Sequence, residues 1–304
     1  MGNYLTIDVG GTNIKYAVMD EEINVKEKGE IPTPYDGLDV YLDTLKSIYD
    51  KYVAYDIKAI AMSAPGRINS NNGYFYTSGH LKYADGINLK EKLEEILPIE
   101  VFVENDAKCA ALAELWKGSM KGVKNGIVLV IGTGVGGGII LDGKVYRGST
   151  FASGEFSFMP TNFEENKFSF NSMWGVKNGI KSIINEYANL TGLNPENIDG
   201  RTLFEKANEK DPNALKALER YCSSLACGIF SLQLVLDVEK IAIGGGISRQ
   251  PLLLETLKKA LKSYVGESST LIPATMPEIV ACKYGNDANL IGALYNYLNN
   301  KKEN

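Results

Sequence analysis

Apolar positions recur along this chain in two rhythms, a period of two in short runs and a helical spacing in longer ones. Tyr4–Val9 and Ile14–Met19 read as strands on either side of a glycine turn, and Gly126–Ile131 and Gly138–Leu141 repeat that arrangement. A third strand is expected near Asn24–Ile31, a helix near Leu38–Tyr52, and a strand over Ile57–Met62 that ends in the turn Ser63-Ala64-Pro65-Gly66. Asn69–Tyr83 is polar and aromatic, as in a loop or hairpin reaching over a site. Leu89–Leu97 reads as a helix capped by Asn88, Ile99–Val103 as a buried strand, and Ala107–Trp116 as an alanine-rich helix. After the second hairpin come a strand at Lys144–Tyr146 and a loop rich in Gly, Phe and Asn through about Asn171. Helices fill 172–237 with a break at Thr191–Arg201. A strand at Lys240–Ile243, a helix over 252–264, a strand near Glu278–Ala281 and a helix from Asp287 to about Leu298 complete the chain. Strands alternating with helices argue an α/β fold, and the doubled hairpin, the sole internal repeat, suggests two related halves.

The two glycine turns carry the first chemistry. Asp8-Val9-Gly10-Gly11-Thr12-Asn13-Ile14-Lys15 and Ile131-Gly132-Thr133-Gly134-Val135-Gly136-Gly137-Gly138 each set glycines and a Thr between apolar runs. Glycine lets backbone N–H groups crowd around an anion, and Thr hydroxyls and Lys15 add donors. A single turn of this kind is more often just a tight turn; two can grip one polyphosphate. The second satisfies GxGxxG, yet the dinucleotide fingerprint needs a helix to open at the turn. Here Gly138–Leu141 continues as a strand into Asp142-Gly143, which is hairpin chemistry. No GxxxxGK[ST] occurs, so a Walker A loop is excluded as well. Gly244-Gly245-Gly246 ends a buried strand, and as a third glycine loop it can let an adenine approach the backbone.

Composition narrows the partners. With 44% hydrophobic and 23% charged residues the chain has an ordinary globular balance, and its 304 residues suffice for two cores. A formal charge of −5 without a basic run argues against nucleic-acid or membrane-surface binding. The first strand begins near Tyr4, no apolar run reaches spanning length, and Cys109, Cys222, Cys227 and Cys282 show no CxxC spacing. These point to a cytoplasmic protein with reduced thiols.

Glu104-Asn105-Asp106 stands where a buried strand gives way to a helix. Asn105 or Asp106 there can simply cap the helix. Ligands of open α/β sheets gather at the carboxyl ends of strands, however, so Asp106 can also take the proton of a sugar hydroxyl during phosphoryl transfer. Glu155, in the Ser153-Gly154-Glu155 loop, could accept hydrogen bonds from the same sugar. His80 alone makes no metal site; it reads as a surface or structural residue first and a sugar contact second. Tyr74, Phe75, Tyr76 and Tyr83 are candidates to stack on sugar rings.

With these residues in place the chain resembles the ROK family of bacterial sugar kinases and repressors over essentially its whole length. Asp8–Lys15 is similar to the family's first phosphate loop, Ile131–Gly138 to its second, and Ser63–Gly66 to the turn lining the sugar pocket. Glu104–Ala110 resembles the segment of the catalytic aspartate, Ile243–Ser248 the adenosine loop, and Gly285–Ala293 the closing helix. The resemblance implies a two-lobed actin-like ATPase (ribonuclease H-like) α/β fold with a cleft between lobes. Residues 1–115 plus 286–304 would form the smaller lobe and 116–285 the larger. It implies Asp106 as general base and sugar contact, with Gly66, Asn105, Glu155 and Phe158 beside the sugar; His80 stays a candidate sugar contact from its loop alone. ATP would meet Asp8, Gly10, Gly11, Thr12, Asn13, Lys15, Thr133, Gly134, Gly245 and Gly246, with Asp8 beside its Mg2+.

The departures from the family pattern matter too. Many members follow the Gly-Glu pair with a histidine that touches both sugar and a structural zinc; Phe158 stands in that place, and no cysteine lies between Cys109 and Cys222. The resemblance is therefore to zinc-free members, with the loop near 159–171 held by aromatic packing, and most of all to those that phosphorylate the 6-hydroxyl of β-glucosides such as cellobiose. Glucose or N-acetylmannosamine is the alternative acceptor. A sugar-responsive regulator is a further rival, but family repressors carry an N-terminal helix-turn-helix that a strand near Tyr4 leaves no room for. Members commonly dimerise, so the resemblance implies a homodimer.

Overall fold

The computed structural model describes residues 2–164, 167–266 and 270–303. Its first sheet is built from β1 (Asn3–Val9), β2 (Asn13–Met19), β3 (Val25–Pro32), β4 (Ile57–Ala64) and β7 (Val101–Asn105), in the order β3-β2-β1-β4-β7. Between β4 and β7 a small hairpin pairs β5 (Ile68–Asn69) with β6 (Tyr74–Phe75). Its helices are α1 (Leu38–Tyr52), α2 (Leu89–Ile96) and α3 (Asp106–Lys117).

The second sheet repeats the order with β8 (Gly126–Ile131), β9 (Val135–Leu141), β10 (Lys144–Tyr146), β11 (Lys240–Gly245) and β12 (Glu278–Ala281), as β10-β9-β8-β11-β12. Helices α4 (Trp174–Asn178), α5 (Ile180–Thr191), α6 (Gly200–Asn208), α7 (Pro212–Leu236), α8 (Pro251–Val265) and α9 (Ala288–Glu303) complete the chain. In each sheet an antiparallel glycine hairpin, β1–β2 or β8–β9, leads into parallel strands. Two compact units result: Met1–Gly118 with Val145–Ser153 and Asp287–Asn304, and Ser119–Lys144 with Gly154–Asn286.

Most sequence expectations for the elements hold, and the differences have local causes. Ser63 and Ala64 still belong to β4, because they pair with Glu104 and Asn105 of β7 before Pro65 ends the ladder. The helical stretch breaks a second time before Pro212, where Asp211 accepts the Ala214 N–H at 2.7 Å and opens α7. Of the aromatic residues expected to stack on sugars, Phe75 is buried in the core, and Tyr83 packs on Tyr41 and donates its hydroxyl to the Pro34 carbonyl.

Strand alternation sorts the first unit into two cores. Leu5, Ile7 and Val9 of β1, with Ile60 and Met62 of β4, pack against Tyr41, Leu45, Ile48 and Tyr49 of α1 and Leu89 and Leu93 of α2. The other face takes Tyr4, Ala17, Met19, Ala59 and Ala61, covered by Cys109 of α3 and Leu290, Ala293 and Leu294 of α9. Small residues on that face let α3 and α9 come close. A β-carbon on Gly292 would lie 1.7 Å from the Cys109 carbonyl oxygen. Alanine in place of a helical glycine ordinarily stabilises. Gly292→Ala should instead cost about 3 kcal/mol by overpacking this crossing, read by urea denaturation; an unchanged midpoint would refute the close contact.

Candidate active site

The same alternation places a polar row at the carboxyl ends of the central strands. Lys15 pairs with Asp8, Asp8 with Ser63, and Ser63 with Glu104, so four polar side chains cross β2, β1, β4 and β7 on the face covered by α3 and α9. Asp8 Oδ1 accepts hydrogen bonds from Ser63 Oγ at 2.9 Å and from Asn289 Nδ2 of α9 at 3.0 Å. Burial raises the Asp8 carboxyl above its ordinary pKa, against the pull of the Asn289 and Ser63 hydrogen bonds and the charge of Lys15. Glu104, fully buried, is held by Arg147 Nε at 2.7 Å and accepts the Asn105 N–H at 2.8 Å; Arg147 also donates to Asn296 of α9. Cys109 lies among these carboxylates, and burial first, then Glu104, Asp8 and Asp106, push its thiol well up. It is an inert packing group.

Asn105 and Asp106 sit at the β7–α3 junction. Asn105 caps α3 by accepting the Lys108 N–H at 3.1 Å, and its Nδ2 donates to the Gly66 carbonyl and to Asp106 Oδ1, both at 2.9 Å. Asp106 Oδ1 also accepts the Ala107 N–H at 2.7 Å, which sets the rotamer of a half-buried carboxylate. The capping role expected of Asn105 is therefore what the structure shows, with its amide nitrogen on Gly66 and Asp106 at the same time. Gly66 is the only residue type that fits its place: φ is +103°, and a β-carbon would meet the Thr77 carbonyl oxygen at 2.1 Å.

The first hairpin turn has its carbonyls engaged. Thr33 Oγ1 donates to the Gly10 carbonyl at 2.7 Å, Tyr35 Oη to that of Gly11, and the Thr33 N–H to that of Thr12 at 2.9 Å. The Gly10 N–H closes the turn on the Asn13 carbonyl at 3.0 Å, and Lys15 lies one strand residue beyond Ile14. His80, exposed, lies beside Gly11.

In the second unit the turn at Thr133-Gly134 is braced differently. The Gly132 carbonyl accepts the Ile180 N–H at 2.9 Å, so the N-terminus of α5 abuts the turn, and Ser157 Oγ accepts the Val135 N–H at 3.0 Å. A helix N-terminus at this spot favours negative charge; the sequence showed α5 but not that it begins here. Gly245, at φ +93°, ends β11, and its carbonyl accepts from Ser248 Oγ at 2.8 Å, leaving Gly246 in open space. Glu155 is half-buried, and Phe158 is 53% exposed.

The loop that follows corrects one expectation. Its rings do not pack: Phe163 is 90% exposed, Phe168 66% and Phe170 67%, and the last two touch each other. Main-chain pairing holds it instead, with the Thr161 N–H on the Ser172 carbonyl and the Trp174 N–H on that of Met159, both at 2.7 Å. Residues 165–166 lie outside the described residues.

Twin sheets of one order, each opening on a glycine hairpin, are the actin-like ATPase fold of the ROK sugar kinase structures. A model of the ROK family matches residues 4–299, and the chain belongs to the ROK family. It is 33% identical to a β-glucoside kinase of Listeria monocytogenes, over 96% of each chain. Among solved structures it is similar to a ROK family protein of Streptococcus pneumoniae in complex with sucrose, at 32% identity and TM-score 0.87 over 99% of each chain. It is also similar to a ROK family glucokinase of Streptomyces griseus in complex with glucose and AMPPNP, at 25% identity and TM-score 0.81 over 96% of this chain and 98% of the other. Among the described residues no helix is long and apolar enough to cross a membrane.

Proposed function

We propose that this sugar kinase transfers a phosphoryl group from ATP to the 6-hydroxyl of the non-reducing glucose of a β-glucoside such as cellobiose. The observation that carries the reading is the Asp106 carboxylate, fixed by Ala107 and Asn105 at the end of β7, where it can accept the proton of the attacking hydroxyl. Asn105 and Gly66 shape the acceptor side of the first unit. ATP supplies the phosphoryl group, and Mg2+ neutralises charge on its phosphates. The residues fit that donor. The Gly10–Thr12 turn has its carbonyls tied back. Asp8, whose Oδ1 accepts from Ser63 and Asn289, would hold the cation. By the family resemblance Thr133 and Gly134 would contact the phosphates, and Gly245 and Gly246 the adenosine.

The acceptor rests on Phe158, which stands where a sugar-binding histidine occurs in many members, together with the β-glucoside kinase relative. Phe158 and the missing cysteines also argue for a chain without structural zinc, and the family resemblance for a homodimer, checked by metal analysis and light scattering. The test of substrate is ATP consumption with glucose, N-acetylmannosamine, cellobiose and gentiobiose. Cellobiose or gentiobiose should give the highest kcat/KM; a clear preference for either monosaccharide would reject the β-glucoside reading, and no turnover at all would favour a regulator.

A further inference from the structure

An aromatic stack stands one residue beyond the Gly66 turn. The Arg67 guanidinium lies 4.3 Å from the centroid of Tyr76, and Phe151 stacks on Tyr76 with centroids 6.5 Å apart and planes at 27°. Tyr74 meets Tyr76 edge-on at 5.2 Å. Tyr76 is 38% exposed despite these contacts, and Phe151 is half-buried. Phe151 holds φ at +62°, a left-handed conformation that bulky residues avoid.

Two separate tethers tie this stack to the residues around Asp106. Along one, Asn105 Nδ2 binds the Gly66 carbonyl, and the carbonyl of the next residue, Arg67, accepts the Tyr76 N–H at 2.9 Å. Along the other, Glu104 binds Arg147, whose carbonyl accepts the Ser153 N–H at 3.3 Å and so closes the bend carrying Phe151. Glu104 and Asn105 are the two residues before Asp106, so the rings are held at a fixed place relative to that carboxylate. Asparagine or glycine would adopt that bend without backbone strain.

We propose that Arg67, Tyr76 and Phe151 form a subsite for the second ring of the acceptor, the sugar or aryl group joined to C1 of the glucose whose 6-hydroxyl faces Asp106. Ring faces of pyranosides are apolar and pack on aromatic side chains, while the Arg67 guanidinium serves the peripheral hydroxyls. This inference rests on the β-glucoside reading above.

The experiment compares Tyr76→Ala, Tyr76→Leu and Phe151→Asn with the wild-type chain on cellobiose, phenyl β-glucoside and methyl β-glucoside. Phe151→Asn keeps a residue that tolerates the backbone angle, and Tyr76→Leu keeps an apolar side chain beneath Arg67, so folded variants are available. KM for the two ring-bearing acceptors should rise about tenfold, with kcat little changed and KM for methyl β-glucoside within twofold. A loss confined to cellobiose assigns the subsite to a sugar, and one confined to phenyl β-glucoside to an aryl group. Equal losses on all three acceptors, or none, would overturn the subsite while leaving the β-glucoside reading intact. A wild-type chain that phosphorylates free glucose in clear preference to all three glucosides overturns both.

Discussion

Replacing Asp106 by Asn should lower kcat by about a thousandfold while the acceptor still binds within a few-fold of its wild-type affinity. The asparagine carbonyl can take over the Ala107 N–H bond that Asp106 Oδ1 accepts, so the first turn of α3 survives and the variant folds. What it cannot do is receive the hydroxyl proton as the new O–P bond forms. Asp106→Ala should show the same loss of turnover. Calorimetry with cellobiose and steady-state ATP consumption separate binding from chemistry; a near-normal kcat in either variant removes Asp106 from the mechanism.

Asp8→Asn is expected to move stability and activity in opposite directions. In the folded chain burial raises the Asp8 pKa above its ordinary value of 3.8, so the folded state prefers the protonated form. The stability this residue gives is therefore fully present below that ordinary value and is lost as pH rises through the higher folded one. When Asp8 is ionised it is a buried carboxylate whose desolvation outweighs the Asn289 and Ser63 hydrogen bonds and the charge of Lys15. Asparagine keeps an oxygen for the Ser63 and Asn289 donors and removes the charge. The variant should melt above wild type wherever Asp8 is ionised in the fold, with the gap closing as pH falls toward 3.8, while phosphoryl transfer drops about a hundredfold or more. Melting curves across that pH range decide the first part; a variant less stable than wild type at neutral pH would show that the carboxylate is well paired where it lies.

Much of the first unit was legible because its signals are local. The Leu38–Tyr52 helix shows its buried stripe at Tyr41, Leu45, Ile48 and Tyr49, and the Asn88 and Asn105 caps are side-chain chemistry within three residues of the helix start. Glycine beside an aspartate and a lysine marked the first hairpin, and the β1–β2 register then set Asp8 opposite Lys15. Ser63 was visible only as part of a turn. Its bond to Asp8 depends on β1 pairing with β4 across more than fifty residues, for which no short pattern exists. Arg147, Asn289 and Asn296 gave no signal either: each is one polar residue among many, and its partner is fixed by where α9 or the 147–153 bend crosses the sheet. Phe75 and Tyr83 show the reverse error, aromatic residues in a polar stretch that fold inward because α1 offers them a core.

The sequence by itself determined the repeated glycine hairpins, the α/β alternation and the strand-to-helix junction bearing Asp106, since each depends on backbone freedom, capping and periodicity over a few residues. Which side chains meet across the fold came from the tertiary structure: the Asp8–Ser63–Glu104 row, the clasp of Asn105 on Gly66, and the stacking of Phe151 on Tyr76. Those contacts join segments far apart in the chain, and their energy arises from strand register and from helices excluding water over one sheet face, neither of which any single segment carries.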